Sequence, residues 1–462
     1  MVSPKLIKPT IAAWLPDLTI VLLLAFALWF KSDNDRWNKD VIANDVLEYY
    51  SYLPAVFIDK DITLEFLNDY SIPHVGNYWP KTAANGNYVF KMTMGTSLLY
   101  APFFWAAHLY VNAKGGEATG FSRPYHKAIA IGALVYLFLG LLATKKILLK
   151  YFSPRTTAVT LILLVLATNL LYYATCEPGM NHVFNFCLMA TALLQIGKWL
   201  RKPSVRISIF TGLLIGLISL IRPSNALIVI FFLLWNCSTW PEIRKRFLFI
   251  LSNYKVVLIM ALAAIFVWVP QMIYWNMQTG HLIYNSYVGE HFYFGNFNID
   301  KALFGYRKGW LVYTPVMFFA IAGFFFMKKE LKKIRISVMV FLILFVYIVF
   351  SWWCWWYGGS YGSRPMIDIF AILAIPLAAI VEKGVNSRIW LKILTAGFVF
   401  VFVYHGVFQT RQYIHKAIHY DSMTKKAYWN SFGKQHPRDT FFTLLQSPDY
   451  KSAMEGKKEI LN

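Results

Sequence analysis

The chain has 462 residues and is 57% hydrophobic, 18% aromatic and only 15% charged, against roughly 45–50% apolar and about 25% charged in soluble domains. That excludes a soluble enzyme of ordinary build, and it excludes disorder, which needs low hydrophobicity. The net charge of +22 falls in short basic clusters between apolar runs, a pattern of membrane topology and contact with anionic headgroups, not of nucleic-acid binding.

Apolar runs near spanning length occupy 11–30, 127–149, 156–173, 181–199, 206–221, 224–236, 255–275, 309–327, 336–353, 366–381 and 389–408; a membrane helix needs roughly 17–25 such residues. The reading is an all-α polytopic membrane protein of about eleven transmembrane helices. Lys5 and Lys8 precede the first run without a small-residue cleavage site, so 11–30 reads as a retained first span. A further apolar stretch, 94–112, decides the orientation of everything after it. The basic clusters Lys145–Lys146–Lys150, Arg201–Lys202–Arg206, Arg244–Lys245–Arg246, Lys328–Arg335 and Lys383–Arg388 all fall inside only if 94–112 does not cross. It therefore reads as an interfacial or re-entrant helix, with the N-terminus in and the C-terminus out.

Residues 1–408 then form one polytopic domain, in which 31–126 is a long first outer loop with interfacial helices; 409–462 is a short outer tail. The loop holds ten of the 23 acids, and loops of this length are usually functional. The four cysteines, Cys176, Cys187, Cys237 and Cys354, show no paired spacing and read as free or buried thiols.

Candidate chemistry follows in chain order. Asp45 and Glu48 stand three apart, on one face if the segment is helical. Tyr49 and Tyr50 beside them suit an interface and sugar stacking; a solvated acid next to an aromatic belt is the plainer alternative. Lys91, just before the interfacial stretch, can meet a lipid phosphate or simply snorkel. Glu177 and His182 flank a tight turn between two apolar runs, where an acid is costly unless paired. With Asp45 they could hold a divalent ion, although the spacing is not a metal signature. Arg222 in Ile-Arg-Pro-Ser-Asn marks a buried partner or a substrate anion. Arg307 opens Arg-Lys-Gly-Trp at 307–310. The segment 351–366 combines Trp356, Tyr357, Tyr361 and Arg364 with Gly358, Gly359 and Gly362. Aromatic faces, a permissive backbone and a cation together suit a sugar-phosphate pocket. There is no Walker A, GxSxG or HExxH motif.

The early loop acid, the interfacial helix, the second-turn acid and the Arg-Pro turn, taken in order, resemble the GT-C superfamily of integral-membrane glycosyltransferases. Within it the chain is similar to the protein mannosyltransferase and aminoarabinose transferase branch, and to bacterial membrane proteins with Arg-Lys-Gly-Trp…Tyr-Thr-Pro (307–315) and Tyr-Gly-Gly-Ser-Tyr-Gly-x-Arg (357–364). The resemblance implies a polyprenyl-phosphate sugar donor and inversion at the anomeric carbon. It makes Asp45 the first-loop catalytic acid and Glu177 the second-loop acid, with Lys91, Arg222, Arg307 and Arg364 neutralising the leaving phosphate. Many members carry a DE or DxD pair where this chain has Asn44-Asp45, which leaves metal dependence open. The acceptor, whether protein, lipid or polysaccharide, is not written in the sequence. The expected setting is a bacterial inner membrane with a periplasmic site. Competing readings are a lipid-linked-glycan flippase or transporter, a non-catalytic envelope scaffold, and an oligosaccharide transferase or polymerase of the same fold.

Overall fold

The computed structural model describes residues 11–32 and 35–457; Lys5, Lys8 and Asp33 lie outside the described residues. The fold is almost wholly helical. After α1 (Ile11–Ser32) come the short helices α2 (Asp45–Tyr50) and α3 (Tyr52–Phe57), a two-stranded hairpin (Lys81–Thr82 with Tyr88–Val89) and α4 (Gly95–Ala113). The bundle continues with α5 (Arg123–Leu148), α6 (Pro154–Leu166), α7 (Leu170–Thr175), α8 (Asn181–Trp199), α9 (Val205–Ile221), α10 (Ile230–Leu234), α11 (Trp240–Ser252) and α12 (Tyr254–Thr279). Its second part holds α13 (Ile299–Phe304), α14 (Trp310–Tyr313), α15 (Met317–Gly323), α16 (Glu330–Phe350), α17 (Phe370–Val385), α18 (Ile389–Ile414), α19 (Lys425–Ser431) and α20 (Tyr450–Met454).

Six helices among the described residues are long and apolar enough to cross a membrane: Ala12–Lys31, Arg123–Leu148, Tyr254–Thr279, Glu330–Phe350, Arg364–Val385 and Ile389–Ile414. The protein is an integral membrane protein on this evidence. On α12 and α18, side chains such as Leu262, Phe266, Ile393 and Phe400 stay exposed, as lipid-facing surface does. Other apolar runs are broken. The run 156–173 divides into α6 and α7 around Thr168 and Asn169, and the run 309–327 divides into α14 and α15 at Thr314 and Pro315. Broken backbone at such depth persists where protein groups satisfy it: the Thr168 hydroxyl accepts the Leu170 N–H at 3.1 Å and donates to the Leu164 carbonyl at 2.6 Å.

Helix α4, which takes up nearly all of the stretch 94–112, packs against the ends of three other segments. Residue Gly95 of α4 packs on Ile221 at the end of α9, Tyr100 donates to the Gly179 carbonyl, and His108 pairs with Tyr125 near the start of α5 at 2.7 Å. The basic clusters gather at the opposite end. Lys145 pairs with Asp17, Ser153 reaches Glu382 and Asn386, and Lys198 and Arg201 act on Lys150.

Helices α9 and α12 approach so closely that two glycines four residues apart are required. A Cβ on Gly212 would stand 2.1 Å from the Met260 carbonyl oxygen, and one on Gly216 would stand 2.5 Å from that of Ala264. This is the small-xxx-small contact of membrane helices. Gly197 on α8, by contrast, has nothing within 4 Å of where a Cβ would sit. Gly212→Ala should therefore destabilise by about 1–3 kcal/mol through overpacking, while Gly197→Ala should stabilise by roughly 0.5–1 kcal/mol. Thermal unfolding of both variants in the same lipid checks the opposite signs.

Candidate active site

One end of the bundle encloses a cavity of about 560 Å³, within the roughly 300–1,000 Å³ range of small-molecule sites. Asp45 enters it from the first turn of α2. Asn44 precedes it at φ 51° and ψ −131°, a backbone that non-glycine residues seldom adopt and that turns the chain into the helix. Oδ2 of Asp45 accepts Nη2 of Arg364 at 2.8 Å. Burial pushes the Asp45 carboxyl up, but the Arg364 guanidinium outweighs it and holds the group below its ordinary range. Asp45 thus stays a carboxylate.

Arg364 stands at the head of a 3-10 turn (Arg364–Ile369) leading into α17. Tyr357, Gly358 and Gly362 before it take φ values of 55°, 64° and 59°. These left-handed bends fold the Gly-Ser segment back so that Arg364 points at Asp45, and the two glycines take them without steric cost. Tyr357 lines the cavity with Arg222 above its ring, 5.5 Å from the centroid. Tyr49 lines it too, and its hydroxyl accepts from Asn181 at 3.1 Å.

The third wall carries Lys91. It forms an ion pair with Glu290 and sits 5.0 Å from the centre of the Tyr287 ring. Glu290 also accepts the indole N–H of Trp353 at 2.9 Å. His182, at the start of α8, lines the cavity and contacts the buried Asp368 at 2.9 Å. Asp45, Tyr49, Lys91, His182, Arg222, Tyr357 and Arg364 therefore meet in one space.

The other expected site residues do not line it. Glu48 is 4% exposed and accepts the Met92 N–H at 3.2 Å; burial pushes its carboxyl up to about 7. Glu177 turns to Tyr172, which donates to it at 2.9 Å, and to Arg36 at 3.9 Å. Burial raises its carboxyl as well. Tyr50 is fully buried and donates to the Gly120 carbonyl at 2.5 Å. Arg307 is 1% exposed and donates to the carbonyls of Asp421 and Gln446, so it anchors the C-terminal tail. Its neighbour Lys308 does the same through Ser360 and Tyr420, and burial pushes that amine down to about 7. Trp356 packs under Arg307 and against Tyr450, and Tyr361 packs among Tyr172, Tyr313 and Tyr413. In each case a neighbouring group of the protein makes the contact.

No protein-family model matches the chain, and no curated protein matches it. Among solved structures it is similar to the apo oligosaccharyltransferase of Archaeoglobus fulgidus, at 13% identity and a TM-score of 0.42, over 92% of this chain and 57% of that one. It is similar also to the oligosaccharyltransferase AglB of Archaeoglobus fulgidus in complex with an inhibitory peptide and a dolichol-phosphate. There the identity is 13% and the TM-score 0.41, over 93% of this chain and 58% of that one. The chain thus spans less than three fifths of the length of these two proteins.

Among the described residues, no three His, Cys, Asp or Glu side chains converge as a cation site. The nearest partner of Asp45 is a guanidinium, that of His182 is Asp368, and those of Glu177 are Tyr172 and Arg36. The three groups that could share a divalent ion thus face three different partners.

Glu48 generates a pH signature. Its folded carboxyl titrates at about 7 against an ordinary 4.5. Between those values the unfolded chain has lost the proton that the folded chain keeps. Stability therefore falls as pH rises through that window and is level above it, by about 3 kcal/mol if the whole shift is expressed. Glu48→Gln should remove the slope: its melting temperature should match wild type near pH 4.5 and exceed it at pH 8. Parallel pH dependence of the two proteins would show that Glu48 is not the group responsible.

Proposed function

We propose that the protein is an inverting glycosyltransferase of the GT-C type. It moves a sugar from a polyprenyl-phosphate donor to an acceptor at the periplasmic face of a bacterial inner membrane. The observation that carries this reading is the cavity itself: a carboxylate, Asp45, held by Arg364 in one space with Arg222, Lys91, His182, Tyr49 and Tyr357. Cations answer a phosphate, aromatic faces answer a sugar ring, and a carboxylate answers an acceptor proton.

The chemistry needs few groups. The acceptor hydroxyl or amine attacks C1 of the sugar from the face opposite the phosphate, and its proton passes to Asp45. The bond from C1 to the phosphate oxygen breaks, the phosphate leaves with the electron pair, and the configuration inverts. A phosphate is a good leaving group and needs charge neutralisation more than protonation, unlike the leaving oxygen in glycoside hydrolysis. Arg222, Arg364 and Lys91 supply that stabilisation. Paired with Arg364, Asp45 is a weak base. As the guanidinium turns toward the developing phosphate charge, the carboxylate loses its counter-ion and becomes more basic at the moment of proton transfer. Asp45 and Arg364 thus act as a unit.

Oligosaccharide transfer or polymerisation would use the same groups with a longer donor. Transport calls for polar groups running from face to face, whereas the cavity and the basic loops lie at opposite ends.

Purified protein in lipid should transfer sugar from polyprenyl-phosphate sugars, or slowly hydrolyse them. Asp45→Asn should lose roughly 10²–10⁴ in rate with donor binding retained, and Arg364→Gln should lose about as much, with little further loss in the double variant. Glu177→Gln should keep most of the activity. Full activity in Asp45→Asn would remove Asp45 from the base role.

A further inference from the structure

Each of the three cations on the cavity wall faces a carboxylate, but the three pairs are not alike. Lys91 and Arg364 make close contacts with Glu290 and Asp45. Arg222 stands apart: its Nε lies 3.8 Å from Oδ2 of Asp368. Asp368 is fully buried and is satisfied by other donors. His182 contacts Oδ1 at 2.9 Å, and Asn225 and Asn185 donate to Oδ2 at 2.8 and 3.2 Å. Arg222 is thus held near Asp368 by charge, without either of them depending on a short hydrogen bond between them.

Asp368 also sets the imidazole. A carboxylate only accepts, so the 2.9 Å contact requires Nδ1 of His182 to carry the proton. That leaves Nε2 of the neutral ring as an acceptor, suited to a substrate hydroxyl and not to a phosphate oxygen. His182 and Asn181, the first two residues of α8, both line the cavity, and Met180 before them provides no side-chain cap. The positive end of a 19-residue helix therefore opens on the same wall as Arg222.

We propose that Asp368 is a positioning residue that aims Arg222 into the cavity as the anion site for the donor's lipid phosphate. Arg364 and Lys91 are committed to their carboxylates until chemistry begins. A guanidinium anchored at one edge by a buried acid presents its planar fork to phosphate at little entropic cost. This assignment rests on the reading of the cavity as a sugar-phosphate site and names the wall on which the phosphate first binds.

The test measures binding of farnesyl phosphate and of farnesol to the whole protein in nanodiscs, for wild type, Arg222→Gln, Arg222→Lys, Asp368→Asn and Arg364→Gln. Wild type should prefer the phosphate, and Arg222→Gln should abolish most of that preference, by roughly 10–100-fold. Asp368→Asn should weaken phosphate binding by about 10–100-fold, as loss of a supporting partner does, and should add nothing in the Arg222→Gln background. Farnesol binding should stay level throughout, a readout that a merely structural role would not spare. Arg222→Lys decides the matter if Asp368→Asn does not fold. It keeps the charge but loses the fork, so it should bind the phosphate at least about 10-fold more weakly. Wild-type affinity in Arg222→Lys, or equal loss of farnesyl phosphate and farnesol in Asp368→Asn, would overturn the assignment alone. Wild type that binds farnesyl phosphate no better than farnesol would instead overturn the sugar-phosphate reading beneath it.

Discussion

The ion pair between Asp45 and Arg364 joins residues 319 apart in the sequence. One stands on the first turn of α2 in the long loop after α1; the other begins the turn that feeds α17. Arg364 keeps 13% of its side chain exposed and Asp45 34%, so the pair is partly desolvated and each charge gains from its partner. The pair thus ties the loop to the bundle and fixes the relative position of the two walls of the cavity. The unusual backbone of Asn44 on one side and of Tyr357, Gly358 and Gly362 on the other serves that meeting. Such strain persists where the surroundings over-determine it.

The same constraint sets the electrostatics of the cavity. Asp45 with Arg364, Glu290 with Lys91, and Asp368 with Arg222 make three acid–cation pairs around one space. An arriving anion therefore disturbs a balanced set instead of entering a field of one sign. The energetic question becomes which cation is least committed to its carboxylate. Arg222 answers it by distance, and the shielding of Asp368 by His182, Asn185 and Asn225 answers it by hydrogen bonding.

Much of the cavity was legible in the sequence. Charged residues within or beside apolar runs are costly and so informative, and this logic points to Arg222; Arg364 stands out by its aromatic and glycine-rich company. Asp45 and Tyr49 came from their spacing and aromatic company, and Tyr357 from the glycine-rich turn. The same logic could have found Asp368, a lone acid inside the apolar run 366–381, but it lay in a stretch read only as a span. Glu290 had no local signal at all: it matters because its loop folds back onto Lys91, 199 residues away. Arg307, Trp356 and Tyr361 have the right chemistry but turn inward, since the C-terminal tail covers them, and no periodicity announces that cover. The helix breaks fall on polar or proline positions, Thr168–Asn169 and Thr314–Pro315, inside otherwise apolar runs that were read as single spans; at the first, the Thr168 hydroxyl takes the Leu170 N–H.

The most direct measurement is a cryo-electron microscopy structure of the protein in nanodiscs with bound undecaprenyl phosphate. The phosphate should lie within hydrogen-bonding distance of Arg222, with its prenyl chain leaving the cavity between helices toward lipid. Density for the lipid phosphate at the basic end of the bundle near Lys150 and Arg201, with the Asp45 cavity vacant, would contradict the account.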